Sequence, residues 1–91
     1  MAESDEELPI GNYNSAAVLV RSVPDLGRLV RAKRKQLGLK QIDLAGLGNT
    51  GNRFIVELEN GKPTVQLQKV LDLIDLLGLE LVLRPKRGAA A

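Results

Sequence analysis

Asn52 and Arg53 carry two side-chain types that can read bases. An arginine fork matches the O6 and N7 acceptors of guanine, and an asparagine amide matches N6 and N7 of adenine. Both follow the stretch Gly46-Leu47-Gly48-Asn49-Thr50-Gly51, a break rich in residues that tolerate positive φ. Both open a run over residues 52–59 in which Ile55 and Leu58 fall at helical spacing and face inward. Gly51, Asn52, Arg53, Val56 and Glu57 are then left on the other side, near the helix N-terminus, where a reading helix meets base edges. Glu57 reads as a helix-surface charge rather than a reader of cytosine, and Phe54 as a core residue. The free amides at the starts of two successive short helices suit phosphate.

Other chemistries find little support. The chain has neither cysteine nor histidine, which removes thiolates, disulfides, the usual general base and the commonest metal ligand. No metal, no cofactor and no enzymatic activity are expected. Gly46-x-Gly48-x-x-Gly51 spells a dinucleotide-binding fingerprint, yet a helix precedes it where a strand is needed. Gly61-Lys62 lacks the upstream glycine and following hydroxyl residue of a phosphate loop. Asp72 and Asp75 lie three apart on a helix and read as surface charges. Tyr13 and Phe54 are the sole aromatics, too few for a single-strand stacking platform.

The charge is divided along the chain. Residues 1–20 hold four acidic residues and no basic one; the other 71 hold all 13 basic and 7 acidic residues, for −4 and +6. A basic body suits a polyanion. With 91 residues, one small domain with a marginal core is expected. Residues 1–15 read as an acidic disordered leader, 16–85 as the domain and 86–91 as a basic, alanine-rich tail. No secretory signal and no membrane-length apolar run is visible, so a cytoplasmic protein is expected.

Four helices position the candidate residues. Ser22-Val23-Pro24-Asp25 opens the first, with serine capping and aspartate complementing the dipole. Leu26, Leu29, Val30 and Leu37 form its apolar face; Arg28, Arg31, Arg34 and Lys35 read as a solvated one. Gly38 stops it. Residues 41–47 form a second helix with Ile42, Leu44, Ala45 and Leu47 as its apolar set. Small Ala45 lets two helices cross closely, and Asn49 supplies a left-handed turn residue. Residues 52–59 form the third, stopped by Asn60-Gly61. Pro63-Thr64 opens the fourth, with threonine as cap and Leu67, Val70, Leu71, Ile74 and Leu77 as its face.

The full register is more specific than two short helices. From Gly38 to Leu77 the chain resembles the helix-turn-helix domain of lambdoid phage repressors, with Gln41, Leu44, Ala45, Ile55, Glu59, Gly61 and Lys62 matching and no insertion. The resemblance implies a DNA contact from Gln41 and backbone contacts from Asn60 to Lys62. Two positions depart from it. Lys40 stands where a capping Thr or Ser is usual, and can meet a phosphate instead. Gly51 stands where Ser or Thr usually caps the reading helix. The candidate DNA-binding set is therefore Lys40, Gln41, Thr50, Gly51, Asn52, Arg53, Val56, Asn60 and Lys62.

A narrower resemblance covers about residues 22–85. The run from Arg53 to Thr64 and the ending Leu77-Gly78-Leu79-Glu80-Leu81-Val82-Leu83 are similar to HipB-type antitoxins. That implies a dimer that represses its own operon and binds a HipA-type serine/threonine kinase toxin. A free-standing repressor, or an interaction module with a non-functional helix-turn-helix, are the rival readings.

Residues 79–84 alternate, with Leu79, Leu81 and Leu83 on one side, which signals a strand. A lone strand of six residues cannot hold its hydrogen bonds. It must pair with its copy in a second chain or with residues 16–20. The expected fold class is thus all-α, a lambda-repressor-like domain of four to five helices with a short C-terminal β-strand that pairs in a homodimer. Two reading helices would then meet a palindromic double-stranded operator.

Overall fold

Ser22 opens the first helix as the sequence suggests. Its hydroxyl accepts from the Asp25 amide at 3.2 Å, while the Asp25 carboxylate accepts from the Arg21 amide at 2.9 Å. Each side chain thus satisfies an amide that the helix leaves unpaired. The Arg21 amide, and then Arg28, hold the Asp25 carboxyl below its ordinary range. The computed structural model describes residues 17–86. The leader at 1–15, Ala16 and residues 87–91 lie outside them.

Four helices follow in order: α1 (Val23–Gln36), α2 (Gln41–Leu47), α3 (Asn52–Glu59) and α4 (Leu67–Leu76). Val30 of α1, Leu44 and Ala45 of α2, Ile55 and Leu58 of α3, and Val70, Leu73 and Ile74 of α4 meet with Leu77 in one core. Leu26, Leu39, Phe54, Val65 and Leu79 pack around it. Each fully buried aliphatic side chain here contributes about 1.5–3 kcal/mol.

All four helices end by one device. The residue after each C-cap has positive φ: Gly38, Asn49 (φ 52°), Gly61 (φ 80°) and Gly78. In each case its amide and the next bond back to helix carbonyls, as Gly61 to Leu58 at 2.9 Å and Lys62 to Glu57 at 3.0 Å. This is the paired bonding of a Schellman stop. Asn49 is the one non-glycine among them, and asparagine bears that conformation at low cost.

Two glycines mark close approach. A methyl group on Gly27 would press on the carbonyl oxygens of Leu58 and Glu59, the latter at 2.8 Å. The missing side chain is what lets α1 cross the end of α3. At Gly61 a methyl would stand 2.8 Å from Pro24, so α3's stop also packs on α1's first turn.

Several expectations need correction. Arg34 does not lie on a solvated face; it is buried. Spacing explains it, since Arg34 stands one turn beyond Val30, in the row that faces the core. Ile42 and Leu47 of α2 and Leu37 of α1 are exposed rather than apolar anchors; a seven-residue helix buries one narrow row. The fourth helix begins at Leu67, not at Thr64. Pro63-Thr64 forms a turn, Gln66 takes the cap position without a side-chain bond, and Val65 packs on the core within the connection. Residues 79–86 form no strand within the chain. Leu79 bonds back to Ile74 at 3.0 Å, and Leu81, Val82 and Leu83 are exposed without a ladder. Among the described residues the architecture is therefore four helices with no strand, and no helix is long and apolar enough to cross a membrane.

Candidate nucleic-acid interface

The turn between α2 and α3 sets the site. After Asn49 reverses the chain, Gly51 takes extended backbone (φ −77°, ψ 149°) as the N-cap of α3. Glycine offers no side chain to the first amides of that helix, and no side-chain cap bond is present. The Phe54 amide bonds back to the Gly51 carbonyl at 3.1 Å, which leaves the Asn52 and Arg53 amides without a bond among the described residues at the positive end of the helix dipole. Ile55 and Leu58 lock the opposite side of α3 into the core. Gly51, Asn52 and Arg53 are exposed, and Val56 and Glu57 half-buried beside them. Thr50 is half-buried, and its hydroxyl oxygen is enclosed with no hydrogen-bond partner among the described residues.

A second group gathers at the start of α2 and the end of α3. Lys40, Gln41 and Asn60 line one shallow depression with Arg31, Arg34 and Glu59. Lys40 caps α2 in half a capping box. Its amide donates to the Asp43 carboxylate at 2.8 Å, but an ammonium has no lone pair with which to return the bond. Lys40 and Asn60 are exposed, Gln41 half-buried. Gln41 donates to the Glu59 carboxylate at 3.1 Å.

That carboxylate belongs to a network the sequence reading missed. Arg34 Nε and Nη2 reach the two oxygens of Glu59 at 2.6 and 3.0 Å, and Arg34 Nη1 reaches the Leu39 carbonyl at 2.8 Å. The bonds to Glu59 raise the guanidinium pKa above its ordinary value, against burial. The network ties α1, the α1–α2 turn, the first residue of α2 and the last of α3 together. Its signal was present: Arg34 follows Val30, and Glu59 follows Ile55, each by four residues. Two opposite charges stand in the two buried rows.

The third group links the exposed edge of α3 to its stop. Glu57 Oε2 accepts from Arg53 Nε and from Lys62 Nζ, each at 3.1 Å. Lys62, then Arg53, hold the Glu57 carboxyl below its ordinary range. Phe54, turned to the core side, lies under Lys69 Nζ at 5.6 Å from the ring centre. The fold thus brings Lys40, Gln41 and Asn60 together at one depression, and Arg53 with Lys62 around Glu57. Leu79, Leu81 and Leu83 lie on the segment after α4, Leu79 against the core and the other two exposed.

Known proteins share this fold. Two solved structures superpose on it. A complex of a HipB variant with an O2 20mer gives a TM-score of 0.70 at 21% identity over 77% of this chain and 97% of that one. A HipB–O4 20mer complex gives 0.69 at 22% over 76% and 97%. At that identity the likeness concerns the fold. A curated relative from Sinorhizobium fredii (strain NBRC 101917 / NGR234), described as the uncharacterized HTH-type transcriptional regulator y4mF, is 47% identical over 62 residues. The match covers 68% of this chain and 82% of the relative. The helix-turn-helix family HTH_3 matches residues 30–83, more than half of the sequence, and the chain belongs to that family of DNA-binding transcriptional regulators.

Proposed function

We propose that this protein is a repressor that binds a palindromic double-stranded operator as a homodimer, and that it autoregulates its operon as the antitoxin of a HipA-type kinase. One observation carries the reading: the leading edge of α3, with Gly51, Asn52 and Arg53, is left bare by a fold that buries Ile55, Leu58 and Glu59 of the same helix. Arg53 and Asn52 reach base edges, while Lys40, Gln41, Asn60 and Lys62 meet phosphates on either side. Blocking transcription needs no further chemistry, and the reading places the protein with the DNA in the cytoplasm.

Dimerisation rests on the segment after α4. Leu81, Val82 and Leu83 are exposed in a stretch with no hydrogen-bonding ladder, as are Val18, Leu19 and Val20. Unpaired backbone carrying apolar side chains favours strand pairing across a two-fold axis. The toxin partner is supported by the sequence likeness to HipB-type antitoxins and by the shared fold of the HipB complexes.

Binding to duplex DNA measured against salt tests the core of the reading. Each neutralised phosphate contributes a slope of about −0.9 in log affinity against log salt. Lys62→Ala should weaken binding to all duplexes alike and flatten that slope by up to about 0.9. A protein indifferent to duplex at low ionic strength removes the proposal. Leu81→Lys should give monomers in sedimentation; an intact dimer removes the strand-paired form. Co-purification of the chain with the product of a neighbouring kinase-like gene supports the antitoxin role, and a chain that never retains that product argues for a free-standing repressor.

A further inference from the structure

Glu57 is the one acidic side chain on the proposed reading edge, and an acid there opposes a polyanion. Its geometry shows a use. A single oxygen, Oε2, accepts from both Arg53 Nε and Lys62 Nζ, the two cations that flank it. Arg53 and Glu57 lie four apart on α3, where side chains meet on one face. A guanidinium has five N–H donors in a rigid fork. With Nε held by Glu57, the donors left for a base are those on the two terminal nitrogens, the pair that spans O6 and N7 of guanine.

We infer that Glu57 is a specificity-determining residue, which presents the terminal amino pair of Arg53 to one guanine and offsets the pull of Lys62 on phosphates of any sequence. The inference rests on the DNA-binding reading above and deepens it. Discrimination depends on the difference between right and wrong partners, so a carboxylate that weakens both complexes but positions the reader for one of them widens that difference. Lys62 acts on the backbone as a point charge and carries no sequence information. Held by Glu57, it contributes less to indiscriminate binding. The carboxylate stays ionised at neutral pH, since Lys62 and Arg53 both favour its charged form.

The test is duplex selection from a randomised library by the wild-type chain and by Glu57→Gln, followed by anisotropy titration of both with one random-sequence duplex at several salt concentrations. Wild type is expected to fix a guanine at one position of each half-site. Glu57→Gln should keep the rest of the motif, lose the guanine preference, and bind the random duplex about two- to fivefold tighter at low salt. Its salt slope should steepen by up to about 0.9. In an Arg53→Ala background the glutamine should no longer alter base preference. A Glu57→Gln chain that selects the same guanine and binds the random duplex no tighter overturns this inference and leaves DNA binding standing. A wild-type chain that binds no duplex overturns both.

Discussion

Two carboxylates stand two residues apart on α3, and each pairs with cations. Glu59 meets Arg34 where the two side chains are 2% and 8% exposed. Glu57 meets Arg53 and Lys62 where the cations are 88% and 46% exposed and the acid 27%. The ion-pair chemistry is the same, but burial changes what it does. Inside, every lone pair and N–H needs a fixed partner, and Glu59 and Arg34 supply them to one another, to Gln41 and to Leu39. A charge stranded there has no water to turn to. Outside, water and salt compete for each ion, so the pair is weak. Its cations keep donors that face solvent. The inner pair builds the frame; the outer one dresses the surface.

The widest separation between the two should appear in stability. Glu59→Ala should cost about 3–5 kcal/mol in denaturant unfolding, because Arg34 is left buried and unpaired. The double change Arg34→Met with Glu59→Leu should recover most of that loss, while leaving Gln41 without its anchor and duplex binding still weakened. A loss below about 1 kcal/mol for Glu59→Ala would erase the contrast. Next comes Gly27→Ala, which overpacks the α1–α3 crossing and should cost about 1–3 kcal/mol by thermal melting. On the outer edge the order reverses: Arg53→Ala should leave the melting temperature unchanged and remove about 1–3 kcal/mol of operator affinity, relaxing choice at one base pair. Footprinting that shows the same site and affinity would detach Arg53 from reading.

The smallest effect is in acid. The folded-state pKa of Glu57 is depressed from 4.5, chiefly by Lys62. Its bonds therefore contribute stability that is complete above that value and is lost as pH falls through the lower folded value. Glu57→Gln should flatten that part of the acid unfolding curve, and an unaltered curve would show that the outer pairs contribute nothing to the fold.

Much of this frame was legible in the residue order, and the reasons are local. Asn49 was readable as a left-handed turn residue because few residues accept that backbone, and Ala45 as a close crossing because a small residue interrupts an apolar row. The bare edge of α3 followed from the spacing of Ile55 and Leu58. What escaped were features decided between elements. Arg34 looked like one of four surface cations, and only its partner on α3 shows why the core holds it. Val65 drew the connection onto the core and moved the start of α4 past Thr64, which no cap signal records. The alternation from Leu79 to Arg84 is a pattern with no partner inside the chain, so the lone fold leaves it unladdered. Among the candidate binding residues, the exposure of Lys40 and Asn60 follows from their places at helix ends. The tie from Gln41 to Glu59 was not legible, since it spans 18 residues.

The four left-handed helix stops have a consequence for change over time. Gly38, Asn49, Gly61 and Gly78 fix where each rod ends and how the next departs, and none of them depends on what Asn52 or Arg53 happens to be. If those two sites read bases as proposed, new letters can be written there without touching a hinge that keeps the rods in place. A lineage built on this chassis could then move from one genomic address to another by single steps, each leaving a folded protein behind.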